Sequence, residues 1–346
     1  MLKKAKTIYD IAREAKVSPS TVSRVLTGSA RVSDVKRAAV TRLLDKYQFQ
    51  PNALARGLSE SNARILGILV ADIRNPYYAA LVVECEKAAY NRGYTVMLCN
   101  ALNKNELEDT HLEKLLAQRA DAIIQIGCRA DDLVPDPDYV AHVNRVNNLI
   151  PMIISGRLPG ANCRSVYINH AEAMRMTIEY LISLGHEDIA IFGGARRVRS
   201  TYDKFQNYIY LCERHGMLPR EEYIQEGDYT VNGGYDCMTR LLALKRRPTA
   251  AVAVNDYSAV GALKAASEQA VRVPLDCSLI SFDNTFLSEV VSPKLTSVDY
   301  DYPAYGETLV SLALRAIAGE DAPREVLIDA KLVIRDSVQN VKPTDL

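Results

Sequence analysis

The sequence contains no CxxC pair, no apolar h-region behind Met1 and no apolar run long enough to cross a bilayer. Its seven cysteines (Cys85, Cys99, Cys128, Cys163, Cys212, Cys237 and Cys277) are scattered, several of them in apolar runs. That distribution fits reduced core thiols and speaks against a disulfide framework or a zinc site. Neither secretion nor membrane insertion is indicated, and the expected compartment is the cytosol. Catalytic signatures are missing as well: there is no GxSxG elbow, no P-loop, no HExxH and no GxGxxG after a strand. The five histidines (His111, His142, His170, His186 and His215) lie far apart with no ligand spacing. "GGAR" after "IAIF" is a turn and by itself a weak phosphate cradle. No catalytic residue, bound metal or cofactor is therefore expected. Internal repeats and low-complexity tracts are also absent.

What is present is an ordinary globular composition with an uneven charge. The 346 residues are 48% hydrophobic and 24% charged, enough for two or three domains with cores of their own. The formal net charge is zero, yet up to residue 60 twelve basic residues, from Lys3 to Arg56, stand against only Asp10, Glu14, Asp34, Asp45 and Glu60. A basic end on an otherwise acidic chain points to an anionic polymer meeting that end.

The first sixty residues read as helices only. Thr7 with Asp10 three residues on makes a capping-box-like start, and Ile8, Ile11 and Ala12 form an apolar stripe. Lys16-Val17 makes a short turn. Ser18 caps a second helix with Pro19 at its first position, where proline is tolerated. Ser33 caps a third helix, running to about Lys46, with Val40, Leu43, Leu44 and Tyr47 facing inward. Two short helices joined by a tight turn and closed by a third describe a helix-turn-helix. In "VSPSTVSRVL" Val22, Val25 and Leu26 take the buried face, leaving Ser20, Thr21, Ser23 and Arg24 for something polar and anionic. After Pro51 the stretch Ala53 to Leu58 is long enough for one or two helical turns, unstable alone and helical only when held.

From Ile65 the texture alternates between strands and helices. "ILGILVA", "YTVMLCN", "DAIIQIG", "PMIIS", "DIAIFGG", "AAVAVND", "CSLISFD" and "LTSVDY" read as strands with amphipathic stretches between them. Such alternation predicts parallel sheets with helices on both faces. So many strands fit two α/β lobes with a cleft between them better than one sheet.

With these elements placed, the whole chain resembles the LacI/GalR family of transcriptional repressors. "TIYDIAREAKVSPSTVSRVL" resembles that family's DNA-binding signature and "QPNALARGL" its hinge. "NPYYAAL", "GHEDIAIFGG", "VNDYSAVGAL", "VRVPLDCSLISFDN" and "SPKLTSV" resemble successive landmarks of an effector core similar to periplasmic sugar-binding proteins. The resemblance implies a helix-turn-helix domain over 1–50, a hinge helix and linker over 51–62, and an effector-binding and dimerisation core over 63–346. Within the core it implies an N-lobe of about 63–163 and 298–325 and a C-lobe of about 164–297 and 326–340.

It further implies that Val17 to Leu26 is the recognition helix, with Pro19, Ser20 and Arg24 at the specificity positions. Arginine suits guanine because its fork donates to O6 and N7 together. Thr21 and Ser23 either meet phosphate or serve as local caps, and Thr7 and Ser18 join the DNA-contacting set. In the hinge, Leu58 takes the place of a leucine that wedges between base steps in the minor groove, with Asn52, Ala53, Ala55 and Arg56 packed nearby. Paired hinges imply a homodimer on a pseudo-palindromic operator. The tail "VQNVKPTDL" has no leucine heptad, against a C-terminal tetramerisation helix. A bacterial, cytoplasmic protein, nucleoid-associated when bound to DNA, is implied.

Ligand clefts of such cores lie at the carboxyl ends of strands. The resemblance places Tyr77, Tyr78, Ser200, Lys204, Tyr229, Asn255, Asp256 and Asp283 there as effector-binding residues. Tyrosine faces with Asp and Asn acceptors are what a hydroxyl-rich sugar ring requires. Lys204 stands where relatives carry an effector-binding arginine, and a lysine cannot reproduce the bidentate fork. Arg196, Arg197 and Arg199 crowd the adjoining loop and point to an anionic ligand, a sugar acid or phosphosugar, or else form a solvated loop. A sugar or sugar derivative is the expected effector, with a purine also possible. The alternative is a repressor with a vestigial cleft controlled by a protein partner.

Overall fold

The computed structural model describes residues 6–26, 28, 32–47, 49 and 63–341. They fall in two compact units, Met1–Ala63 and Arg64–Leu346. The hinge positions Asn52, Ala53, Ala55, Arg56 and Leu58 lie outside the described residues.

The first unit is built from α1 (Ile8–Glu14), α2 (Pro19–Leu26) and α3 (Asp34–Lys46). At the start of α1 the Thr7 hydroxyl accepts the Asp10 N–H at 3.3 Å, and the Thr7 N–H donates to the Asp10 carboxylate at 3.0 Å. Two backbone donors that the helix cannot satisfy are thereby satisfied reciprocally. The helix stops because Lys16 turns to φ +54, letting Val17 N–H reach Ala12 O at 3.0 Å and Lys16 N–H reach Arg13 O at 3.3 Å. This is a Schellman closure with lysine where glycine is usual. Ile11, Ala12, Val22, Val40 and Leu43 make the core, with Leu44 and Tyr47 packed against it. Glu14 fastens α3 to α1, accepting from the Tyr47 hydroxyl at 2.8 Å and pairing with Lys46 at 3.0 Å. Ser33 does occupy the N-cap of α3, but its side chain makes no capping hydrogen bond.

The second unit holds two six-stranded sheets. The first runs β11-β5-β4-β3-β1-β2, all parallel, from β1 (Ile65–Val70), β2 (Thr95–Asn100), β3 (Ala122–Ile126), β4 (Met152–Ser155), β5 (Arg164–Ile168) and β11 (Glu325–Ile328). The second runs β12-β10-β9-β8-β6-β7, from β6 (Ile189–Phe192), β7 (Ile224–Gln225), β8 (Ala250–Ala253), β9 (Ser278–Phe282), β10 (Thr296–Asp299) and an antiparallel β12 (Lys331–Val333). Side chains alternate along β1 and β3. Leu66, Ile68, Ala122 and Ile124 pack toward α4 (Pro76–Tyr90) and α12 (Tyr302–Ile317). Leu69 and Ile123 pack toward α5 (Asn105–Ala117) and α6 (Pro137–Leu149). The second sheet has α7 (His170–Ser183) and α8 (Arg199–Arg214) on one face and α9 (Val231–Leu242) and α10 (Asp256–Glu268) on the other. Burial on both faces explains why the central strands read as continuous apolar runs.

Strand pairing moves the lobe boundaries that the sequence implied. Arg164–Ile168 and Glu325–Ile328 pair with each other in the first sheet, and Thr296–Asp299 lies in the second. The chain therefore crosses after Ile168, Asp299 and Ile328, not at 163/164, 297/298 and 325/326. "RSVYI" alternates polar and apolar residues and was not among the expected strands; only its neighbours β4 and β11 make it one.

Two glycines set the approach of α9 to α10. An added Cβ at Gly261 would fall 1.9 Å from Val231 O, and one at Gly234 would fall 2.0 Å from Ser258 O. Only glycine permits this contact, which brings the N-terminal ends of both helices to the same rim of the second sheet.

Thr7→Ala should cost the helical unit about 1 kcal/mol, the usual worth of an N-cap hydroxyl. Amide hydrogen exchange across Ile8–Glu14 in the full chain reads it. Unchanged protection would show that the capping box contributes nothing.

Candidate functional site

In the helical unit, α2 exposes Ser18, Pro19, Ser20 and Arg24, while Thr21 and Ser23 are half-buried and Val22 is buried. The Ser18 hydroxyl lies 2.8 Å from that of Ser20 and 2.9 Å from that of Thr21, and accepts the Thr21 N–H at 3.3 Å. Thr21 thus has a local capping contact. Thr7, likewise, has its hydroxyl donating to Asp10 at 2.8 Å. The side chains that α2 offers are short hydroxyls around one long guanidinium, small enough to let the helix lie in a major groove.

In the second unit a cavity of about 370 Å³ opens between the two sheets at the carboxyl ends of their strands. Tyr77, Tyr78, Ser200, Lys204, Tyr229, Asn255 and Asp283 all line it, as the sequence implied. Asn255 is the N-cap of α10, accepting the Ser258 N–H at 2.9 Å, and its amide donates to Tyr229 O at 3.1 Å. The glycine-mediated crossing of α9 and α10 makes that bond possible. The Tyr229 and Thr201 hydroxyls meet at 2.6 Å, fixing the ring. Tyr77 lies edge-on to Tyr78 and Tyr300, with centroids at 5.2 Å and 6.1 Å.

Asp256 is the correction. It does not line the cavity, and its buried carboxylate accepts from the Ser281 hydroxyl at 2.5 Å, the Ser297 hydroxyl at 2.9 Å, and the Thr285 N–H and hydroxyl at 2.6 and 2.8 Å. Consecutive residues at a helix start point in different directions, so Asn255 faces the ligand space and Asp256 pins the loop that carries Asp283. That loop is held in a costly conformation. Asp283 has φ +95 and Asn284 φ +49, against hydrogen bonds from Asp283 N–H to Val298 O, from Asn284 N–H to the Ser297 hydroxyl and from the Tyr302 hydroxyl to Asp283 O. Positive φ at non-glycine residues persists where surroundings over-determine it.

Several lining residues escaped the sequence reading: Asp131, Ser155, His170, Asp203, Tyr300 and Tyr305. Asp131 follows β3, and the strand-end rule applied to "DAIIQIG" would have found it. Its turn, Cys128–Asp131, is anchored from below. Arg129 is buried, pairs with Glu108 at 3.1 Å and stacks on Tyr139 at 3.8 Å. Across the cleft Asp131 accepts the Ser200 N–H at 3.2 Å, Leu133 N–H reaches Arg197 O at 2.8 Å, and Arg199 donates to Leu133 O at 2.9 Å. The two lobes are thus tied at one edge. Of the basic loop, Arg199 lines the cavity; Arg196 faces Glu226 at 3.6 Å and lies over Phe205, outside the lining.

Charge is concentrated at the floor. Lys204 is buried at 5% exposure over the Phe282 ring. Burial pulls its ammonium below the usual lysine range, against the opposing pull of Asp283, Asp131 and Asp203. Burial, then the neighbouring Asp256, pushes the Asp283 carboxyl up to about 8, with Lys204 working against the rise. Burial likewise raises Asp131 to about 6, offset in part by the bonds from Ser200. His170 is held well below its ordinary value by burial and by Lys204, so it stands neutral.

Because Asp283 keeps its proton to higher pH in the folded state than in the unfolded chain, folded protein binds the extra proton. Stability should therefore fall as pH rises from about 4 to about 8, Asp131 adding to the fall at the lower end. Asp283→Asn removes the larger contribution, so the variant should gain in Tm relative to the parent between about pH 5 and about pH 8. Parallel Tm curves for the two proteins would sink this assignment.

The chain matches two family models: that of the bacterial regulatory proteins of the lacI family over residues 7–52, and that of the periplasmic binding protein-like domain over residues 178–338. It is 31% identical over 335 residues to the HTH-type transcriptional repressor PurR of Yersinia pestis (strain Pestoides F), covering 96% of each chain. Among solved structures it is similar to the lac repressor dimer bound to operator and the anti-inducer ONPF, with a TM-score of 0.84, 26% identity and coverage of 97% of this chain and 100% of that one. It shares its fold with the transcriptional regulator CelR in its cellobiose complex, at a TM-score of 0.71 and 24% identity, over 96% of this chain and 99% of that one. A helix-turn-helix unit with a polar reading face, a two-lobed core with a closed cleft and full-length likeness to repressors meet in one chain, which belongs to the LacI/GalR family of DNA-binding transcriptional repressors.

Proposed function

We propose that this repressor binds a pseudo-palindromic operator as a homodimer and that a small hydroxyl-rich ligand in the interlobe cleft, a sugar or sugar derivative, sets its DNA affinity. The observation that carries the reading is the cleft lining. Tyrosine faces surround a floor of one ammonium and several carboxylates, in a volume suited to a single small ring. A ligand touching both lobes would bind the closed arrangement more tightly than an open one, and only that difference can shift DNA affinity. A vestigial cleft has no use for the strained loop that carries Asp283. A purine is the second reading, supported by the identity to the PurR repressors.

The homodimer rests on apolar surface at one edge of the first sheet. β2 is an edge strand; Val83, Tyr90 and Leu98 stand exposed on it and on α4, and Leu102 in the turn after it, with Phe286 just before and Val290 within α11 (Leu287–Val290) exposed on the other lobe. An open edge with exposed apolar side chains invites pairing unless it is covered. A second copy related by a two-fold axis covers it with the same surface.

At the DNA, Arg24 reads a guanine, Pro19 and Ser20 lie on base edges, and Ser18, Ser23 and Thr7 approach phosphates. Asn52, Ala55 and Leu58 act in the minor groove, Leu58 as the wedge. DNA binding places the protein in the cytoplasm, on the nucleoid when it is bound.

Arg24→Ala should weaken operator binding by about 1–3 kcal/mol and relax preference at one base pair. Leu58→Ala should lose specific affinity while keeping salt-sensitive non-specific binding. Titrations of operator and scrambled DNA at fixed salt test both, and unchanged operator affinity in either variant would remove the role given to that residue. For the ligand, a thermal-shift screen of sugars and purines should give one responding class, a native-state ligand at a hundredfold excess over Kd adding about 2.7 kcal/mol. Silence across both classes would return weight to control by a protein partner.

A further inference from the structure

Given the reading of the cleft as an effector site, its cations indicate the charge of what it takes. Arg157, Arg199 and Lys204 line the cavity. Among the described residues each makes its direct contacts with neutral groups only. The Arg157 guanidinium lies over the Tyr167 ring at 3.8 Å and donates to the hydroxyl of that ring. Arg199 donates to Leu133 O at 2.9 Å, and its Nε is buried with no hydrogen-bond partner. Lys204, 5% exposed, lies over the Phe282 ring at 5.1 Å, and its ammonium makes neither a hydrogen bond nor an ion pair among the described residues. Outside the lining the pattern differs: Arg129 pairs with Glu108 at 3.1 Å and Arg196 faces Glu226 at 3.6 Å.

The carboxylates of the same lining do not make up the difference. Asp131 accepts the Ser200 N–H at 3.2 Å, and Asp203 feels Arg199, Arg157 and Lys204 without an ion pair to any of them. Burial keeps a proton on Asp283 up to about 8. At neutral pH, Asp131 and Asp203 therefore stand against three cations. A guanidinium stays charged throughout, and a buried ammonium without a contacting partner is costly until something supplies one. We propose, resting on the effector reading of the cleft, that the effector is a small polyol bearing an oxyanion, a carboxylate or a phosphate, held by Lys204 in the field of Arg157 and Arg199. An oxyanion oxygen only accepts, which suits an ammonium whose donors no protein group has taken. The hydroxyls of the same ligand donate as well as accept, and so can satisfy Asp131 and Asn255 beside it.

The test is calorimetric titration of the full chain, at neutral pH and fixed salt, with matched sets: glucose, gluconate, glucuronate and glucose 6-phosphate, their galactose counterparts, and ribose with ribose 5-phosphate. The expected result is at least one anionic member binding about tenfold or more tighter than its uncharged parent, the worth of one charge-assisted contact. Whether carboxylates or phosphates respond names the oxyanion. An uncharged parent that binds as tightly as its anions overturns the charge inference and leaves the effector reading standing. If no sugar of any charge binds, both fail, and a response to a purine base in the same assay identifies ligand class as the fault. Lys204→Gln should bring anion and parent to within about threefold of each other, whereas Lys204→Arg, which keeps the charge, should preserve the preference. An equal loss for charged and uncharged sugars in Lys204→Gln would make Lys204 a structural residue and overturn the role given to it. Arg157→Gln, at an exposed position that folding does not depend on, should weaken the anion more than the parent, and an equal effect on both would likewise count against the proposal.

Discussion

The core is organised around one buried ammonium. Lys204 sits at the floor of the cleft, out of water, and an unmatched charge there would be expelled or neutralised. Its partners come from both lobes: Asp283 from the end of β9 and Asp131 from the turn after β3. The electrostatic balance of the floor therefore depends on the distance between the lobes. Anything that opens the cleft separates Lys204 from Asp131, and anything that fills it inserts groups between them. Closure and occupancy share one set of charges, which is what a ligand-controlled switch needs if binding at one site is to alter another.

Much of the surrounding structure serves to hold those carboxylates still. One Asp256 oxygen accepts from Ser281 on β9 and Ser297 on β10 and the other from Thr285 on the loop that presents Asp283, and the strained backbone at Asp283 and Asn284 is hydrogen-bonded on each side. On the other lobe the buried Glu108–Arg129 pair fixes the turn that presents Asp131, with the Tyr139 hydroxyl and the Gln125 amide donating to Glu108. Breaking such a pair by removing one partner leaves a buried charge without its match, so the anchor is as consequential as the residue it positions. The close crossing of α9 and α10 does the same for Tyr229 and Asn255, through two glycines that carry no chemistry of their own.

The cleft was largely legible before any coordinates because parallel α/β sheets put ligands at the carboxyl ends of their strands. Tyr77, Asn255 and Asp283 each follow a recognisable apolar run, Tyr229 was placed by the family resemblance, and the structure brings all four to one cavity. Asp256 shares that position in the chain and failed, since sequence adjacency to Asn255 says nothing about which way a side chain turns at a helix start. His170 went unseen because it follows β5, a short and partly polar strand, whereas Tyr300 ends the expected strand "LTSVDY" and was within reach of the strand-end rule. The basic run from Arg196 to Arg199 divides in the structure, Arg199 lining the cavity and Arg196 facing Glu226 outside it, which a count of charges does not show.

Sequence by itself determined the three helices, the Thr7–Asp10 capping box and the polar face of α2, because a capping box, a proline at a helix start and an apolar stripe act within a few residues. It also determined the alternation of strand and helix, because burial on both faces demands apolar runs of a set length. Tertiary structure alone decided the membership of β5, β11 and β12 in their sheets, the neutrality of His170 and the balance around Lys204. Those properties depend on which distant segments meet, Lys331 against Asp299, Lys204 beside His170 and Asp283 beside Lys204, and on how far each group is withdrawn from water. Strand pairing and desolvation exist only once the chain has closed on itself.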